Sequence, residues 1–100
     1  MFAKKKKKIS RECWSLDYSF ILWLNEHLPV YLADADRFID LTYYTFQYKG
    51  ETYTQKELLI KLINIVHILK QEYFNYDEKT LELWEAMLDI FKILFPVLWW

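Results

Sequence analysis

The 100-residue chain contains a single glycine, Gly50, and this scarcity excludes more functions than any residue present suggests. The phosphate-cradling loops GxxxxGK[ST] and GxGxxG need several glycines close together, as does the GxSxG elbow of serine hydrolases, and none can be written into this sequence. The familiar nucleotide-binding loops are therefore ruled out, and an enzyme is not expected. With two prolines beside the one glycine, the connections must also be few and short.

Other absences narrow the reading further. Cys13 stands alone, so neither an intramolecular disulfide nor a cysteine-rich zinc site can form, and a reducing, cytoplasmic setting fits best. Arg11 is near Cys13, but no local histidine accompanies it, which argues against an activated thiolate. His27 and His67 lack HExxH or comparable spacing and suit ordinary structural roles. Long apolar runs are missing too. The longest, "FILWL" at 20–24, falls far short of the roughly 20 residues that span a bilayer. Polar residues from Ser10 to Ser19 break up the stretch in which a signal peptide would place its apolar region. A soluble, unprocessed chain is expected, with no cofactor and no metal.

What is present is apolar and unevenly charged. Hydrophobic residues make up 54% of the chain and aromatics 20%, which suits one packed domain. Residues 1–11 carry six of the 13 basic residues and no acid, so residues 12–100 hold seven basic against 14 acidic residues, a net of −7. An acidic body repels nucleic acid. Residues 1–10, with Lys4, Lys5, Lys6, Lys7 and Lys8 in one run, are expected to form a flexible basic tail, and residues 11–100 a single globular domain.

The patterning predicts an α+β fold that is mainly α: three to four helices and one β-hairpin, in the order α-(α)-β-β-α-α. Ser15 is placed to cap a first helix with Asp17 in its first turn, and Leu16, Phe20, Ile21, Trp23, Leu24 and Leu28 recur at helical spacing. Pro29 is expected to stop or bend that helix near His27 and to open a second short one over 29–36. Residues 38–54 are rich in Thr, Tyr, Phe and Ile and contain "YKGE", predicting a hairpin of about 43–48 with 51–54. Thr54 and Glu57 form a capping box for a helix of about 55–73, and Asp77 caps a last helix of about 78–95. Their equal lengths and short connection predict an antiparallel pair. Both late helices are apolar over well more than the stripe of about 100° that one packing face needs, so something must cover the remainder.

Candidate contact residues follow from this surplus. Phe95, Trp99 and Trp100 in the final "LFPVLWW", with Tyr43 and Tyr44 of the hairpin region, either complete a small core or form an interface, where Tyr and Trp are enriched. Pro96 ends or kinks the last helix, so the residues after it either fold back over the helical pair or reach a second subunit. Asp34, Asp36 and Asp40 lack the glycine bend and terminal Glu of a calcium loop. They read as solvated, helix-terminating acids or, with Glu26, as an acidic docking face. The expected function is protein binding through this acidic and aromatic surface, with self-association into a dimer. Size and charge alone suggest, by analogy, an inhibitor or immunity-type factor. Two alternatives remain: a nucleic-acid-associated regulator that uses its Lys tail, and a small-molecule binder with an aromatic pocket between hairpin and helices.

Overall fold

The computed structural model describes residues 8–10, 13–72, 75 and 77–98. A 3-10 turn, Cys13–Ser15, leads into α1, Leu16–Phe38. A loop then reaches the antiparallel hairpin of β1, Thr45–Tyr48, and β2, Glu51–Thr54, followed by α2, Gln55–Gln71, and α3, Glu78–Leu94; a second 3-10 turn, Phe95–Val97, closes the described chain. Residues 8–10 also have helical backbone. The predicted order and class hold, with α2 and α3 forming the antiparallel helical pair.

Local chemistry sets most of the boundaries. In the β1–β2 turn Lys49 (φ 49°) and Gly50 (φ 79°) both adopt positive φ, the geometry of a two-residue turn whose twist matches the flanking strands. Tyr48 thereby pairs with Glu51, and Thr45 with Thr54. The capping box forms as predicted: Glu57 N–H donates to Thr54 Oγ1 at 3.1 Å, while Thr54 N–H donates to Glu57 Oε1 at 2.9 Å. Two further first-turn donors of α2 reach back into the loop, Gln55 N–H to the Tyr44 carbonyl at 3.0 Å and Lys56 N–H to the Leu41 carbonyl at 2.9 Å. Asp77 caps α3 by accepting from Thr80 N–H at 2.8 Å.

Two expectations at α1 fail. Ser15 stands at the N-cap position, but its side chain makes no capping bond; the Asp17 carboxylate accepts from Tyr18 N–H instead. Nor does Pro29 end the helix. α1 runs through it to Phe38, absorbing the second short helix predicted over 29–36. A proline inside a helix costs about 3 kcal/mol, because it removes one backbone donor and crowds the turn before it. Here the ring is exposed, while Leu28 and Ala35 on either side are buried and Leu32 is half-buried. At about 1.5–3 kcal/mol for each fully buried large aliphatic side chain, continuous packing offsets the local cost.

α2 is the centre of the molecule. Leu58, Leu59, Leu62, Ile65, Val66 and Leu69 are all buried. They pack against Ile21, Leu24 and Leu28 of α1 on one side and Met87, Ile90 and Leu94 of α3 on the other, and Tyr48 of the hairpin joins them. The C-terminal turn is tied to the start of α2, where buried Gln55 donates through Nε2 to the Val97 carbonyl at 3.4 Å. Val97 and Leu98 are half-buried against the core, so this part of "LFPVLWW" folds back onto the helices; Trp99 and Trp100 lie outside the described residues. The result is flat, with extents of 44 × 37 × 19 Å. Its radius of gyration, 15.3 Å, exceeds the roughly 13 Å usual for this length.

Candidate functional site

Among the described residues, a flat arrangement with α2 in the middle leaves α1 and α3 without a helix covering their outer flank. On α1 the residues Leu16, Phe20, Trp23, His27 and Val30 repeat at alternating spacings of four and three, and all five are exposed. On α3 and the turn that follows it the matching run is Leu81, Trp84, Leu88, Phe91 and Phe95, in which Trp84 and Phe91 are half-buried and the others exposed. The two runs meet where Phe20 and Phe91 make an edge-to-face contact, with ring centroids 5.9 Å apart at 81°. Phe91 in turn lies 5.3 Å from Phe95. Trp23 is 54% exposed, Leu88 55% and Phe95 64%.

Between the runs lies an open groove of about 670 Å³, floored by Leu24, Leu28 and Tyr31 and walled by Trp23, Val30, Phe91, Phe95 and Leu98. Its polar rim comes from α1, through Glu26, His27 and Asp34. The wall is braced. The indole of Trp23 stacks on the His27 imidazole at 4.0 Å and 13°, and His27 Nδ1 donates to the Trp23 carbonyl at 2.7 Å. A second depression of about 620 Å³ continues the α1 flank toward Lys8, lined by Leu16, Phe20, Trp23 and Glu26. The apolar face therefore runs along most of α1, with Asp34 toward one end, Lys8 toward the other and Glu26 on the rim of both depressions.

The sequence-derived contact residues separate into distinct places. Phe95 and Asp34 both belong to the groove. Tyr43 and Tyr44 stand outside it, on the loop after α1, packed edge to face at 5.0 Å; Tyr43 is 74% exposed. Asp36 pairs with Lys56 at 2.9 Å. Asp40 accepts from Thr42 through both the hydroxyl, at 2.5 Å, and the backbone N–H, at 2.9 Å, which holds its carboxyl below the ordinary value. These two acids organise the end of α1 and the loop. Among the described residues no group of three His, Cys, Asp or Glu is placed to hold a metal ion. Lys8 is the one member of the lysine run within the described residues; Lys4 to Lys7 lie outside them.

The hairpin side holds a different depression, of about 500 Å³, between Tyr48, Tyr53, Lys61, Lys79 and Leu83. Lys49 and Lys61 lie over the Tyr48 and Tyr53 rings at 5.5 and 5.8 Å. Tyr53 Oη donates to Glu51 at 2.7 Å, and that bond raises the phenol's pKa above its ordinary value. On this exposed surface the lysines lie over tyrosine rings and Glu51 accepts from a tyrosine hydroxyl.

The residues that sequence reasoning missed are Trp23, Val30, Leu81, Leu88 and Phe91 as a shared surface. The available signal was a second apolar stripe at spacings of three and four beside the buried one, on both α1 and α3. No helix among the described residues is long and apolar enough to cross a membrane. Comparison with protein-family models, with curated proteins and with solved structures gives no match.

Proposed function

We propose that this chain acts by binding another polypeptide, and that the α1–α3 groove is where it binds. The observation that carries this reading is the pair of apolar stripes on α1 and α3, exposed at most of their positions and meeting at Phe20 and Phe91. A groove between two helices with anchors at three- and four-residue spacing suits the apolar face of a third helix, whose own side chains repeat in the same way. Trp23, Phe91 and Phe95 supply large, rigid contact area of the kind that dominates binding energy at interfaces. Glu26 and Asp34 on the rim add the acidic character expected from the net charge of the body.

The test compares immobilised wild type with the Trp23→Glu/Leu88→Glu double variant, both checked for helix content by circular dichroism. Polypeptides retained by the wild type and lost by the variant are the expected result. Identical retained sets from two folded proteins reject the groove as the contact surface.

A further inference from the structure

We infer that the groove's occupant is a second copy of this chain, with the two α1 helices antiparallel across a twofold axis and each lying in the other's groove. This rests on the reading of the α1–α3 face as a protein-contact surface and names the partner. Three observations point to self-pairing. The first is area, from the exposed parts of Leu16, Phe20, Trp23, Val30, Leu88 and Phe95. At roughly 150–250 Å² for a whole aromatic side chain, the exposed parts together are on the scale of the roughly 300–600 Å² of the largest patch on a typical monomer, a size at which such patches often mark contact surfaces.

The second observation is register. About a point level with Asn25, antiparallel pairing sets Trp23 against His27 of the other copy and Phe20 against Val30, so these four ridge positions find ridge positions, while Leu16 comes level with Asp34 at the rim. Trp23 and His27 already stack within one chain, so the axis would bring two such stacks together. The third is charge. Lys8 lines the depression at the Leu16 end, while Asp34 lines the groove at the far end of α1. Antiparallel pairing brings Lys8 of each copy to Asp34 of the other, whereas parallel pairing sets like charges together.

Sedimentation equilibrium of the full chain over a range of concentrations tests this. The wild type is expected at twice its 12.4 kDa chain mass. Trp23→Glu and Leu88→Glu should each weaken the dimer by at least about tenfold, because each places an unpaired charge in the contact. Lys8→Glu and Asp34→Lys should each weaken it by about two- to tenfold, and the doubly exchanged chain should regain wild-type association, which loss of fold alone would not produce. A single-chain mass at every concentration overturns the inference, as does a dimer indifferent to Trp23→Glu and Leu88→Glu, or a double exchange that restores nothing. If the chain is monomeric while its retained polypeptides still depend on Trp23 and Leu88, the second copy is excluded and the contact surface stands. If neither mass nor retained set responds to these substitutions, both fall.

Discussion

Single residues fix the ends of the elements, and their contributions are separable. Thr54 satisfies the first turn of α2 in a reciprocal pair with Glu57, so Thr54→Ala is expected to cost about 1–2 kcal/mol in urea unfolding. Gly50 sits at φ 79° with open space around it, so Gly50→Ala should destabilise by about 1 kcal/mol through backbone strain rather than through a clash. Asp77 and Asp40 give the chain a defined acid response. The Thr80 N–H lowers the Asp77 carboxyl and the Thr42 hydroxyl lowers that of Asp40, both from an ordinary value of 3.8. A carboxyl with a lower pKa folded than unfolded stabilises the fold above the unfolded value and loses that contribution as pH falls through the folded one. The urea midpoint should therefore decline below the ordinary carboxylate range, and Asp40→Asn/Asp77→Asn should flatten that decline. Tyr53 has the opposite sign: its raised pKa stabilises below the ordinary value of 10.0, and that contribution is lost as pH rises through the raised one.

At the scale of elements, what could be read in the sequence was what local chemistry decides. Thr54 with Glu57, Asp77 and the Lys49–Gly50 turn gave the starts of α2 and α3 and the hairpin register to within a few residues, because their partners lie within three positions. The path of α1 through Pro29 was not legible, since the reason for it is the burial of Leu28 and Ala35 against distant segments. Propensity lost there to tertiary packing. Pro29→Ala should accordingly stabilise the protein by about 1–3 kcal/mol, read as a higher urea midpoint, by restoring one backbone bond on an exposed face. The candidate site was legible in part. The surplus of apolar circumference on α2 and α3 indicated that a covering surface was needed. Which of two neighbouring stripes on α1 and α3 would be buried could not be read, because Ile21 and Leu24 differ from Phe20 and Trp23 only in the direction each faces.

At the scale of the molecule, α2 is central and the chain is flat. Leu62 is fully buried between both neighbours of α2, so Leu62→Ala should cost about 2–5 kcal/mol and weaken both packing faces together. The surfaces that remain exposed are not equivalent. Tyr43, Tyr44 and Phe38 lie at one end of α1, whereas Trp23 and Phe95 line the groove, with Leu88 on the same α3 stripe, and the depressions along α1 carry Asp34 toward one end and Lys8 toward the other. Contact along that groove is the central claim. Hydroxyl-radical footprinting of the full chain from dilute to concentrated solution tests it most directly. Labelling of Trp23, Leu88 and Phe95 should fall with concentration while Phe38 and Tyr43 stay unchanged; labelling that stays constant at Trp23, Leu88 and Phe95, or falls equally at all five, contradicts it.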